Sequence, residues 1–305
     1  MALQPLILIL KIVKNKGGLH NRITRQIRLM PFTLSETASF LQIKGINHIH
    51  YDITQLYMCT GGVPHYLDQL QKGKSVAQHI DKLCFSKDGL LRTEFGQLYA
   101  SLFDDAQKHV SIIKALSKIH KGITRQELLK HSGARSGGEF TRQLEELIES
   151  GFVSEYQYYG NKRNQSLFRL SDEYSLFYLK FIKKNRNNGT GTWQRLHKSS
   201  SFASWSGFSF ETICLKHAPQ IKQALGIGGI YTQQSSWFNY EAQIDLLIDR
   251  DDNVMNLCEM KFSNTDYTIT KDYYQKLKIK RSAVQANIAK RKNVFLVLIT
   301  TFGIK

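Results

Sequence analysis

Cysteine is scarce and scattered in this sequence. The chain holds four, Cys59, Cys84, Cys214 and Cys258. No two stand at the C-x-x-C spacing of a zinc site, and their placement does not read as a secreted disulfide framework. A reducing, cytoplasmic setting fits. Proline is also rare, with 4 in 305 residues, and there is no low-complexity tract, which argues against long disordered segments. No apolar run is long enough to span a bilayer. The most apolar, LQPLILIL at residues 3–10, lacks the basic flank and small-residue cleavage site of a signal peptide. It is expected to be a buried strand or helix, and no membrane partner is expected. No G-x-x-x-x-G-K-S/T run occurs. That loop is what lets backbone N–H groups cradle a nucleotide phosphate. No apolar strand ends in a Walker B aspartate either, so no ATP site is expected in this chain.

Acidic residues are the other shortage. Lys and Arg number 42 against 25 Asp and Glu, a net charge of +17. Such an excess points to a polyanionic partner, most often nucleic acid, with a merely soluble basic surface as the plain alternative. The length fits two or three domains, and 42% apolar residues supply real cores.

Local signals divide the chain. Residues 31–45, PFTLSETASFLQIKG, read as a helix with Ser35 as N-cap and Gly45 as its stop. DITQLYMCTGGVPHYLDQLQKG reads as helix, Gly-Gly break, and a second helix opened by proline. From His109 the sequence predicts three helices, the third carrying Phe140, Leu144, Leu147 and Ile148 on one stripe. Two short strands, FVSEYQYYG and SLFRLS, follow around the basic turn NKRNQ, and an aromatic helix closes the unit. Three helices and a two-stranded wing make a winged helix-turn-helix. NRNNGTGT at residues 185–192 has linker composition. The last third reads as helix, irregular segment, hairpin, basic helix and a final strand NVFLVLITT, an α/β domain.

The hairpin AQIDLLIDRDDNVMNLCEMKFS carries the chemistry. Alternation puts Ile244, Leu246 and Ile248 on one face of its first strand and Asp245 on the other. In the second strand, Cys258, Met260 and Phe262 share one face, and Glu259 and Lys261 the other. A hairpin symmetric about Asp252 sets Asp245 opposite Glu259, with Cβ atoms about 5 Å apart. Opposed carboxylates repel, and a divalent cation between them removes the repulsion and supplies a Lewis acid. Oxygen ligands without a His or Cys cluster suit Mg²⁺ or Mn²⁺. Lys261 would orient a water or stabilise charge developing on a phosphate. The plain alternative is a surface hairpin with a solvated Glu259–Lys261 pair.

Asp, a spacer, then Glu-x-Lys on a hairpin resembles the PD-(D/E)xK nuclease superfamily, although Ile244 stands where the motif has proline. The resemblance implies a further carboxylate on the preceding helix, a place that Glu211 fits. On a larger scale, LHNRITRQIRLMPFTLSETASFL, LYMCTGGVPHYLDQL, the winged helix and AQIDLLIDR…CEMKF together are similar to bacterial and archaeal AAA-type ATPases fused to a domain of unknown function. The resemblance implies a multidomain α and α/β chain. A remnant of the AAA-type ATPase with its helical lid spans residues 1–105, a winged helix-turn-helix 106–185, and a PD-(D/E)xK nuclease-like domain 186–305. Lacking the P-loop core, the chain looks like the C-terminal part of that family. Arg22 stands where the family places a nucleotide-sensing arginine, and without a P-loop it reads as an ordinary basic loop residue.

For DNA contact, the winged helix offers Arg135, Thr141 and Arg142 near the start of its third helix, and Lys162 and Arg163 at the wing tip. Glu139, Glu145, Glu146 and Glu149 on the same helix count against it. The basic helix adds Lys276, Lys278, Lys280 and Arg281, with Tyr273 and Tyr274 interleaved for stacking on bases. The leading expectation is a metal-dependent nuclease-like protein acting on DNA, with Asp245, Glu259 and Glu211 on Mg²⁺ or Mn²⁺, Lys261 catalytic, and an ATPase-bearing chain as possible partner. Its rivals are a non-catalytic DNA- or protein-binding regulatory module and a truncated, non-functional remnant.

Overall fold

The computed structural model describes residues 29–119, 121–160, 166–185 and 189–305. The run at residues 3–10, Arg22, and the turn residues Lys162 and Arg163 lie outside these. The architecture is mixed α/β. Two compact units interleave along the chain: the first takes residues 1–119, 126–154 and 170–199, and the second 120–125, 155–169 and 200–305.

The first unit is built from helices. Its first described helix, Leu34–Ile43, is capped by Thr33 rather than the expected Ser35. The Thr33 hydroxyl accepts from the Glu36 amide, and the Glu36 carboxylate accepts from the Thr33 amide at 2.8 Å. Ser35 already lies within the first turn, because a glutamate three residues after Thr33 closes the capping box there. The helix His50–Thr60 ends as expected at a glycine pair, Gly61 and Gly62, at φ +66° and +71°, and Pro64 opens the helix Pro64–Asp68. The break is pinned from outside. The Phe32 amide donates to the Gly62 carbonyl at 2.9 Å, and the Tyr57 hydroxyl to the Phe32 carbonyl at 2.8 Å. A Cβ at Gly62 would stand 2.2 Å from that carbonyl oxygen.

Two further features hold this unit. Asp81, 1% exposed, accepts from the Trp193 amide at 2.7 Å. Trp193 packs edge-on to Phe177 and Phe181, so the end of the glycine-rich stretch is anchored rather than loose. The helix Gly138–Glu149 buries Phe140, Leu144 and Leu147 as predicted, with Ile148 only half-buried. Two of its acids meet the helix Ala106–Leu116: Glu139 pairs with Lys108 at 2.6 Å and Glu146 with His109 at 2.8 Å.

The second unit carries a seven-stranded mixed sheet in the order β1-β3-β2-β4-β5-β6-β7. The strands are β1 (Ile123–Thr124), β2 (Val153–Tyr158), β3 (Ser166–Leu170), β4 (Thr232–Phe238), β5 (Gln243–Arg250), β6 (Val254–Lys261) and β7 (Asn293–Thr300). β4 is the stretch expected to be irregular. Its sequence, TQQSSWF, is poor in strand formers, and antiparallel pairing to β5 makes it a strand. On its other side β4 pairs parallel with β2, Gln157 to Ser235 and Tyr158 to Ser236. The expected hairpin is β5–β6, and its register runs from Leu246–Cys258 to Asp249–Met255. That register is centred on Asp252, as the sequence predicts.

Three helices of this unit flank the sheet: α1 (Ser200–Lys216), α2 (Ala218–Ala224) and α3 (Lys271–Asn287). α1 lies on the Cys258–Phe262 side, where Phe210 meets Phe262 at 5.7 Å between ring centres. Ala283 and Val284 of α3 join Leu247, Met255, Leu257 and Val294 in the core. β6 is therefore covered on both faces, with Val254 to Met260 all buried. Among the described residues no helix is long and apolar enough to cross a membrane.

Replacing Gly62 by alanine tests the pinned break. Gly133→Ala serves as control, since Gly133 has a similar φ of +69° but open space around it. Gly133→Ala is expected to cost about 1–2 kcal/mol for the left-handed backbone alone. Gly62→Ala adds the collision with the Phe32 carbonyl, so its loss in thermal or urea melts should exceed the control by about 2 kcal/mol or more.

Candidate active site

The site starts from β5 and β6. Both are rich in Leu, Ile, Met and Val, so they bury themselves, and the alternation carries Asp245 and Glu259 inward with them. Glu259 is 7% exposed and the Asp245 side chain 21%. Two facing carboxylates in such surroundings need compensation.

Glu259 is satisfied from α3. Its Oε1 accepts from Lys280, and its Oε2 accepts from the Tyr273 hydroxyl at 3.1 Å. Thr270 caps α3 by accepting from the Tyr273 amide at 3.2 Å, which fixes where the helix begins. Tyr273 and Lys280 are seven residues apart, two helical turns, and so share the stripe that also holds Leu277 and Val284. Lys261 approaches Glu259 Oε2 at 3.9 Å, and its ammonium stands 5.1 Å from the centre of the Tyr273 ring. Burial, then the charge and hydrogen bond of Glu259, push the Tyr273 hydroxyl well above its ordinary pKa, so it stays a donor.

Asp245 is held by two donors. Arg169 Nη2 and Gln243 Nε2 both reach its Oδ1, each at 3.2 Å. Arg169 comes from β3 and is 6% exposed. Glu211 on α1 completes the group. Burial first, then the charge of Asp245, raises its pKa from the ordinary 4.5 to about 7, with Glu259 adding to the rise. Arg169 and Lys261 act in the opposite direction. Cys214, one turn further along α1, and Cys258 on β6 are both pushed up by burial, Cys258 to about 12, and remain neutral thiols.

The four hairpin and helix residues chosen from sequence, Asp245, Glu259, Lys261 and Glu211, are thus brought within each other's electrostatic reach. The basic residues fare differently. Lys276, Lys278 and Arg281 are exposed on α3, with Lys278 beside the Tyr274 ring at 5.7 Å. Lys280 is not part of that outer row, because its place on the inward stripe commits it to Glu259. In the first unit, Arg135 and Arg142 are exposed near the start of the helix Gly138–Glu149, and Thr141 donates to the Gly137 carbonyl at 3.2 Å. Sequence reasoning missed Arg169 and Gln243. A lone arginine inside the apolar run SLFRL was the available signal, since a charge in a buried strand needs an anion nearby.

The donors here are of the right kind for a hard divalent cation: oxygen only, with uncompensated negative charge felt at Glu211. Their placement is another matter. Among the described residues no group of three or more His, Cys, Asp or Glu side chains is arranged to hold a metal ion. Asp245 and Glu259 instead lean on Arg169 and Lys280.

The raised pKa of Glu211 has a consequence for stability. Between about pH 4.5 and 7 the folded protein keeps a proton that the unfolded chain releases, so this group's contribution falls as pH rises through that window. Above pH 7 the full penalty of an ionised, buried carboxylate remains. Glu211→Gln, neutral throughout, should match the parent near pH 4 and be more stable by on the order of 2 kcal/mol at pH 8, in melts run with EDTA.

Comparison with known proteins reaches one part of the chain. Residues 178–275 match the model of a family described as archaeal and bacterial proteins of unknown function, DUF234. Neither the curated proteins nor the solved structures contain a match to this chain. The matched span contains Glu211, Asp245, Glu259 and Lys261, while Arg169 and Lys280 lie outside it, one on either side.

Proposed function

We propose that this chain is a nuclease-like protein that acts on DNA, cleaving phosphodiesters with the help of Mg²⁺ or Mn²⁺ at the β5–β6 hairpin. The observation that carries the reading is the meeting of Glu211, Asp245 and Glu259 with Lys261 on a buried hairpin. The net charge of +17 supports a polyanionic substrate. In this reading residues 106–185 act as a winged helix-turn-helix, and the helices before them as the lid remnant of an AAA-type ATPase. No ATP hydrolysis is proposed for these 305 residues, which hold no P-loop, and an ATPase-bearing chain is a candidate partner.

Each residue has a defined task. Asp245, Glu259 and Glu211 would hold the divalent cation, which when bound supplies Lewis acidity at the scissile phosphate. Lys261 keeps its ammonium beside Glu259 and the face of Tyr273, a fixed position from which it orients a water or meets charge growing on phosphate oxygens. Tyr273 and Lys280 hold Glu259 in one rotamer. Gln243 and Arg169 do the same for Asp245. One observation favours a second reading. The carboxylates already have cationic partners in the protein, as a non-catalytic DNA-binding module would require.

Cleavage separates the two. Supercoiled, linear and single-stranded DNA are incubated with the purified chain in Mg²⁺, Mn²⁺ or EDTA, beside Lys261→Ala. The nuclease reading expects metal-dependent nicking that falls by about 10²-fold or more in the variant. No cleavage, or equal cleavage by Lys261→Ala, leaves the binding module as the function.

Binding has its own test. Exposed Lys276, Lys278 and Arg281 would contact phosphates, so each alanine substitution should lower the slope of log affinity against log salt by about 0.9 in anisotropy titrations. Lys280→Ala should leave the slope nearly unchanged, because Lys280 is committed to Glu259.

A further inference from the structure

β2 and β4 pair only briefly, Gln157 with Ser235 and Tyr158 with Ser236. A cleft of about 610 Å³ opens at this short junction, a volume in the range of small-molecule sites. All of its walls belong to the second unit. Residues paired across strands share a face of the sheet. Gln233 therefore stands beside Asp249, and Gln157 beside Ser235 and Leu247. Leu247 packs in the core with Ala283 and Val284 of α3. Tyr158 and Tyr159 pack on that same core and complete the cleft.

The lining is polar without a free charge. Asp249, its acid, is already engaged. Its Oδ1 accepts from Lys292, and its Oδ2 accepts from the Tyr159 hydroxyl at 3.3 Å. Gln157 and Gln233 are exposed, and each amide carries both donors and an acceptor. Ser235 lines the cleft and is 8% exposed, yet its hydroxyl is buried and makes no hydrogen bond among the described residues. A buried hydroxyl in that state is unfavourable, and an occupant with polar atoms would relieve it. The surroundings are cationic. Lys290 and Arg291 are exposed and adjoin Lys292 in the chain.

A fitting occupant is neutral inside the cleft and offers both donors and acceptors. It has a flat face for tyrosine and carries negative charge just outside. An unpaired base on a phosphate backbone meets all of these conditions. A base in a duplex does not, because its pairing edge is closed and its faces are stacked.

We propose that this cleft holds one unpaired nucleobase of single-stranded DNA, with the Gln157 and Gln233 amides at its edge, Tyr159 against its face, and the adjoining phosphates on Lys290 and Arg291. The inference rests on the DNA reading above and needs neither cleavage nor a metal. The cleft is separate from the carboxylate group, since Asp249 lies about 13 Å along β5 from Asp245.

The test reads binding in EDTA, by anisotropy, with three probes of equal length: a single strand of mixed sequence, an abasic strand of deoxyribose phosphates, and a duplex. The parent should bind the base-bearing single strand roughly tenfold more tightly than the abasic one. The paired substitution Gln157→Ala with Gln233→Ala should bring that ratio close to one, and Ser235→Ala should lower it. The slope of log affinity against log salt should not change, because no charge is removed. A ratio near one in the parent, a ratio that survives the paired substitution, or binding of the duplex alone overturns the inference and leaves DNA binding standing. Failure to bind any of the three probes overturns both. Should the paired variant fail to fold, the parent decides. A single strand carrying iodouracil is irradiated on the protein and the crosslinked peptide is sequenced. Attachment at Tyr158 or Tyr159 is expected, and crosslinks confined to other residues reject the cleft.

Discussion

Like charges buried side by side need a counter-charge, and the β5–β6 hairpin buries them side by side. Its register is fixed by apolar residues on both faces, since a slip of one residue would carry Leu247 and Leu257 out of the core. Asp245 and Glu259 are carried along with that register whether or not their charges favour it. The rest of the site follows from this constraint. Arg169 arrives from β3, Lys280 and Tyr273 from α3, Gln243 from the start of β5, and Lys261 from two residues along β6. Glu211, where burial and the charge of Asp245 outweigh Arg169 and Lys261, shows what remains uncompensated, in a pKa near 7. The site is therefore not a local motif on a scaffold. It exists only when strands and helices from widely separated stretches of chain have assembled.

What was legible in the sequence is what depends on local pattern. The hairpin and its symmetry about Asp252 follow from strict alternation around a polar turn, and the register agrees. The Thr-Gly-Gly-x-Pro break was legible because left-handed backbone selects glycine and a first helical turn accepts proline. Errors of a residue or two arose where several small polar residues compete for one cap, as Thr33 and Ser35 do. What was not legible depends on partners distant in sequence. β4 is a strand because β5 pairs with it, and nothing in TQQSSWF announces that. Arg169 was passed over for the same reason. Its role is defined by an aspartate 76 residues away.

The lysines of α3 show how one composition serves two purposes. Read as a list, Lys276, Lys278, Lys280 and Arg281 form one basic track. Read on a helix, they separate. Lys280 falls on the stripe of Tyr273, Leu277 and Val284 and turns to Glu259, while the others face outward. The same sorting applies to the acids of the helix Gly138–Glu149. Glu139 and Glu146 had weakened the case for DNA contact there. Their contacts with Lys108 and His109 of a neighbouring helix remove part of that objection, because both carboxylates are already engaged within the protein.

The chemistry of the site turns on which cation compensates the carboxylates. Monovalent side chains do so now, and they do it imperfectly. Arg169 makes one bond where its fork allows two, and Lys261 stops 3.9 Å from Glu259. A site evolved only for stability would be expected to complete those bonds or to replace the charges with apolar groups, which is often neutral or better for folding. Oxygen donors kept together, with Glu211 alone raised in pKa, and served by loosely held cations are instead what a site requires if its occupant changes during use. Glu211, still pushed up to about 7, marks how far the side-chain cations fall short of settling the cluster.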